Sequence, residues 1–157
     1  MASPAAGNVE APSDSIIPSG IRLLTSIPDL LMFPELVFGG LVWILVASIK
    51  VYDPDTLGWV IFVSLLLFAL TLLLLFCYLF GLPRNSSAWC FLDAFYHGIG
   101  SVFYFSGAVL VANATVRRDN LPGKIYDTLI AASVFAYVAT VLYVIHAIFS
   151  FKRWKTV

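Results

Sequence analysis

Charge is what this 157-residue chain has least of: Asp, Glu, Lys and Arg together make up 11% of it, where water-soluble domains carry about a quarter. With 61% hydrophobic residues and a mean hydropathy of +0.94, that scarcity excludes an ordinary soluble globule and makes lipid the main solvent. Nine basic residues balance nine acidic ones, so no strongly basic surface is available, and the aromatics sit inside apolar runs; nucleic-acid binding is set aside. HExxH, P-loop, GxSxG and CxxC motifs are all missing, and the polar breaks are too short to hold a nucleophile, a base and an oxyanion hole away from lipid. Neither an enzyme, a metal site nor a cofactor is expected. The first 27 residues lack the apolar stretch of a cleavable signal peptide and are expected to stay attached as a disordered tail.

What the chain does have is apolar runs of membrane-crossing length. Four are read at 33–49, 58–80, 90–114 and 128–151, giving an all-α, integral membrane four-helix bundle. Residues 1–27 then form the tail, 28–151 the membrane domain and 152–157 a basic C-terminal tail. Pro34 suits the first turn of helix one, Gly81-Leu82-Pro83 reads as a left-handed cap and stop after helix two, and Leu121-Pro122-Gly123 reads as a turn. Upstream, Ile21, Leu23, Leu24, Ile27, Leu30 and Leu31 share a helical face, which fits either a segment lying on the membrane surface or a plain run-in to helix one.

Four spans bring the C-terminus back to the side of the N-terminus. Arg22, Arg84, Lys152, Arg153 and Lys155 lie on that side, against Lys50, Arg117, Arg118 and Lys124, so the loop charges alone decide little. Lys152, Arg153, Trp154 and Lys155, directly after helix four, read as a contact for inner-leaflet anionic lipid and place both termini in the cytosol.

An ionisable residue at the centre of a membrane helix costs about 2.5 to 3.5 kcal/mol on insertion scales, so each one needs an account. Glu35, Asp93, His97 and His146 all fall near the cytosolic ends of their spans and can meet in one layer. Glu35 is also favoured simply as an acid at a helix start. Asp93 and His97, four apart, share a face, and with His146 they read as a structural polar clamp between helices three and four. A proton relay is the sharper alternative, but the outer halves of the spans offer no titratable carrier of this type.

Small residues mark the packing faces: Ala94, Gly98, Ser101, Ala108 and Ala112 on helix three, and Ala132, Ala136, Ala139, Tyr143, His146 and Ser150 on helix four. Ser64, Thr71 and Tyr78 recur every seven residues on helix two, while Gly39 and Gly40 fit close packing either within the chain or between copies. Cys77 and Cys90 flank a cytosolic loop, where a structural disulfide is disfavoured; reversible palmitoylation and simple packing both fit them. The sequons at Asn85 and Asn113 hug the membrane, and neither is expected to carry sugar.

The blocks FGGLVWILVAS (38–48), GWVIFVS (58–64), LDAFYH (92–97), YVIHAIFS (143–150) and the RWK near the end together resemble the MAL (myelin and lymphocyte protein) family of MARVEL-domain tetraspan proteolipids. The resemblance covers all four spans. It implies cytosolic termini and a non-enzymatic role in organising cholesterol- and sphingolipid-rich (raft) membrane for vesicle traffic, apical sorting or myelin assembly. It also implies residence in the plasma membrane and in vesicles, Golgi or endosomes. Membrane cargo proteins, lipids and further copies of the chain are the partners expected.

Overall fold

The computed structural model describes residues 16–49, 54–83, 86–117 and 120–157. Residues 1–15, Lys50, Arg84, Asn85 and Arg118 lie outside these, and with them most of the expected N-terminal tail and the first sequon. Four helices account for almost everything described: α1 (Met32–Ser48), α2 (Pro54–Leu79), α3 (Ser87–Val116) and α4 (Gly123–Thr156). Each is long and apolar enough to cross a membrane, the first together with the turn that precedes it from Asp29. They form a ring in which α1 lies between α2 and α4, and α3 closes the circle; α3 against α4 is the most extensive pairing and α2 against α3 the thinnest.

The helices overlap the four apolar runs, and α3 and α4 extend past theirs at both ends. α4 begins five residues before its apolar run and carries Lys152, Arg153, Trp154 and Lys155 in its last turns, so the segment read as a C-terminal tail is helical through Thr156. Hydropathy marks only the part of a helix that meets hydrocarbon, whereas backbone hydrogen bonding continues into the headgroup layer. At 1.5 Å per residue the 34 residues of α4 span about 51 Å, against about 30 Å of hydrocarbon. The stop after α2 is a Schellman motif: Gly81 takes φ +68°, its N–H donates to the Tyr78 carbonyl (3.1 Å), and the Leu82 N–H donates to Cys77 (3.0 Å).

Residues 16–27 are not a disordered tail. They include a 3₁₀ helix, Gly20–Thr25, whose Leu23 is fully buried together with Ile17 against Met32, Leu74, Leu75, Tyr78 and Cys90. Ile21, Leu24 and Ile27, read as one face with Leu23, are exposed, so only one side chain of that set enters the bundle. A second short 3₁₀ turn, Asp29–Leu31, leads into α1 and buries Asp29.

Inward-facing positions follow one rule on every helix, alternating steps of three and four, the seam spacing of coiled coils. On α1 they are Met32, Glu35, Gly39, Val42 and Val46; on α3, Cys90, Asp93, His97, Gly100, Tyr104, Gly107, Val111 and Ala114. The stripe expected on α3 is therefore corrected in part. Ala94 and Ala108 are buried, but Gly98, Ser101 and Ala112 sit half-buried at the seam's edge, because each follows a seam residue (His97, Gly100, Val111) by one position and is turned about 100° from it. Gly100, not Gly98, is the close-approach glycine: a Cβ there would lie 2.7 Å from the Tyr143 ring, while one at Gly98 meets nothing within 4 Å. On α4 the expected Ala136 and Ala139 are fully buried.

Gly39 and Gly40 pack within the chain. A Cβ on Gly39 would overlap the Tyr104 hydroxyl, and one on Gly40 would press on the Phe68 ring at 3.2 Å. Along the bundle axis the interior changes character. An apolar cluster including Leu23, Met32 and Cys90 closes one end, and a charged layer with a belt of hydroxyls follows. The other end is filled by Val42, Val46, Val60, Ala108, Val111, Leu129, Ala132 and Ala136.

Candidate functional site: a buried acid and imidazole layer

Three helices contribute one turn each to the charged layer: Glu35 from α1, Asp93 and His97 from α3, and His146 from α4. All four side chains are sealed from solvent. Glu35 faces both imidazoles, Oε1 at 2.9 Å from His146 Nδ1 and Oε2 at 3.3 Å from His97 Nε2. Asp93 does the same from the other side, Oδ1 at 3.2 Å from His97 Nδ1 and Oδ2 at 3.6 Å from His146 Nε2. The two rings stack between the carboxylates, centroids 3.5 Å apart and planes inclined by 18°. The structure thus brings together all four residues singled out in the sequence and joins helix one to the pair on helices three and four.

One proton of the His97 ring is placed by a single contact. Its Nδ1 lies 2.9 Å from the Asp93 backbone carbonyl, which can only accept, so Nδ1 carries the hydrogen there and Nε2 points to Glu35. Glu35 Oε2, His97 Nε2, Asp93 Oδ1 and His146 Nε2 all lack a well-aligned hydrogen bond, although each is near an opposite group. Glu35, His97 and His146 each present one metal-ligating atom, all within 4.8 Å of one another, and so do Asp29, Asp93 and His146.

Two members escaped the sequence reading. Arg153 turns inward: its Nη1 donates to both oxygens of Asp29 (2.8 and 3.0 Å) and its Nη2 to Asp93 Oδ2 (3.0 Å). The Ser150 hydroxyl also donates to Asp93 Oδ2, and Ser26 donates to Asp29 Oδ2 (3.3 Å). Even span number puts Asp29 and Arg153 at the same membrane face, and that was the available signal. Lys152 and Lys155 remain exposed and lie over the rings of Phe149 and Phe151, while Trp154 packs on Phe91.

Next along the axis, Thr71 shares its hydroxyl with Tyr96 (2.8 Å) and Tyr143, and Tyr96 donates to the Leu67 carbonyl (2.9 Å). These bonds satisfy polar groups that have no water to turn to in hydrocarbon. Cys90 is fully buried in the end cluster. Cys77 is half-buried and lines an apolar groove of about 250 Å³ between α2 and α3, with Leu70, Leu73, Trp89, Leu92 and Tyr96.

The fold and this layer define a four-span helical membrane protein whose polar chemistry is turned inward. Residues 23–149 match the profile of MARVEL, the membrane-associating domain. The chain is 49% identical over 143 residues to the bovine (Bos taurus) myelin and lymphocyte protein, which covers 90% of this chain and 94% of that one. It is 47% identical to its human (Homo sapiens) counterpart, with 93% and 96% covered. A MARVEL domain-containing protein 1 from Xenopus laevis is 31% identical, with 85% and 79% covered. No solved structure matches the chain. The chain belongs to the MARVEL-domain family, as a tetraspan membrane proteolipid of the myelin and lymphocyte protein group.

Proposed function

We propose that the protein organises cholesterol- and sphingolipid-rich membrane for vesicle traffic, apical sorting or myelin assembly, acting through its lipid-facing surface and without enzymatic chemistry. The observation that carries this reading is the division of the molecule. Polar groups within the spans are largely committed to one another inside the ring, while Val37, Ile44, Phe62, Leu73, Phe105 and Ile148 present an apolar exterior. Lateral contact with lipid and with other membrane proteins is the interaction such a surface offers. Kinship with proteins named for myelin and lymphocytes supports the biological setting.

Helix length supplies the selectivity. The 26 residues of α2 reach about 39 Å, so the thicker, sterol-rich plasma membrane reduces the mismatch, and mismatch energy sorts proteins among membranes. Cytosolic termini, with Lys152 and Lys155 toward anionic lipid, complete the proposal, as does residence in apical or myelin plasma membrane, vesicles, Golgi and endosomes. Contacts between copies, and with cargo, fall to the lipid-facing side chains, since Gly39 and Gly40 are occupied internally. The test is partitioning of the tagged chain between ordered and disordered phases of vesicles drawn from plasma membrane. Enrichment in the ordered phase that cholesterol depletion abolishes supports the proposal; exclusion from it in both conditions sinks it.

The buried layer favours a second reading, a proton-linked transporter. Against a continuous path stands the apolar packing of Val42, Val46, Val60, Val111 and Leu129 across the other half of the bundle. Proton flux in proteoliposomes that vanishes with Asp93→Asn would establish this reading in place of the first.

A further inference from the structure

We infer that Glu35, His97 and His146 form an intramembrane binding site for a divalent transition-metal ion, with zinc the best match. The three residues are 62 and 49 positions apart in sequence, so no spacing motif announces them, yet their ligating atoms converge within 4.8 Å in a fully buried layer. Two imidazoles and a carboxylate are donors suited to zinc.

The distances fit. Tetrahedral zinc with bonds of about 2.0 Å separates its ligands by about 3.3 Å. His97 Nε2 lies 3.3 Å from Glu35 Oε2, and His146 Nδ1 lies 2.9 Å from Oε1. His97 Nε2 and Glu35 Oε2 are buried without an aligned hydrogen bond, a position that a shared ion would satisfy. The outer shell has the form that metal-bound histidines usually show. His97 donates Nδ1–H to the Asp93 carbonyl (2.9 Å), leaving Nε2 without an aligned hydrogen bond, while His146 faces Asp93 with Nε2 (3.6 Å) and holds Glu35 Oε1 with Nδ1 (2.9 Å), the contact an ion would take over.

Glu35 and Asp93 bring two negative charges into hydrocarbon, which two imidazolium rings balance in the absence of metal and one divalent ion with two neutral imidazoles balances in its presence. Arg153 and Asp29 cancel each other beside them. The second set, Asp29, Asp93 and His146, lies toward the bundle end where Arg153 is 12% exposed.

The test uses the full chain, purified without a polyhistidine tag into nanodiscs and given one equivalent of zinc. The chain has two histidines, both in the site, and two cysteines elsewhere, so the readout is clean. Zinc retained through gel filtration, with X-ray absorption showing two imidazoles and oxygen at about 2.0–2.1 Å, is the expected result. His146→Gln and Glu35→Gln should each weaken zinc binding at least about tenfold, while the Cys77→Ser, Cys90→Ser double variant binds as before. Failure to retain zinc, or sulfur in its coordination shell at about 2.3 Å, overturns the site. Because the absorption measurement is made on the unaltered chain, a variant that misfolds does not blunt it.

Discussion

Arg153, in the last turn of α4, holds both carboxylate oxygens of Asp29, 124 residues earlier, at 2.8 and 3.0 Å. This pair ties the segment entering the bundle to the helix leaving it, and through Asp93 it joins both to the buried layer. The guanidinium is also well placed against the negative end of its own helix.

Removing one partner of such a pair strands the other. Arg153→Met should destabilise the protein by about 2–4 kcal/mol, somewhat below a fully sealed pair because the guanidinium is partly exposed. Adding Asp29→Asn to it should recover part of the loss, since the stranded charge is then gone. Thermal unfolding in nanodiscs measures both; a double variant weaker than Arg153→Met by the full effect of Asp29→Asn alone would show that the two residues are not coupled.

Two glycines of α3, two residues apart, should respond with opposite signs. Gly100→Ala sets a methyl 2.7 Å from the Tyr143 ring, itself held by Thr71 and flanked by Tyr104 and His97, so overpacking should cost about 1–3 kcal/mol. Gly98→Ala meets nothing within 4 Å and should gain up to about 1 kcal/mol from helix propensity. The same unfolding assay compares them, and equal destabilisation would contradict the seam described for α3.

The cysteines should separate in the same way. A small, membrane-permeant maleimide should modify Cys77 and spare Cys90 in the folded protein, by a rate ratio of at least about ten, because only Cys77 has an exposed face. Mass spectrometry after limited labelling reads the ratio, and any fatty acyl chain found on the protein should map to Cys77. Comparable labelling of both would mean that the cluster around Leu23 and Cys90 opens readily.

The layer itself was legible residue by residue, since Glu35, Asp93, His97 and His146 are the ionisable side chains that fall inside apolar spans. Their pairing across three helices was not. Asp29 and Arg153 were missed because they flank the spans, where a charge needs no explanation. Gly98 was favoured over Gly100 because hydropathy cannot phase a helix whose neighbours and solvent are equally apolar. Inside and outside differ in size and polarity, and only the full run of small and polar positions reveals the seam.

Composition and run length by themselves determined that this is a membrane protein of four helices, with the four ionisable residues of its spans gathered near one face and its family visible in short blocks. Helix length against bilayer thickness is a property of each segment alone, so it needs no tertiary information. Which imidazole meets which carboxylate, the recruitment of Arg153 inward and the burial of Cys90 were decided only by the tertiary structure. Those outcomes depend on the rotation of each helix about its axis. Close packing around Gly39, Gly40 and Gly100 sets that rotation, and side-chain shape, not hydrophobicity, is the physical quantity that does so.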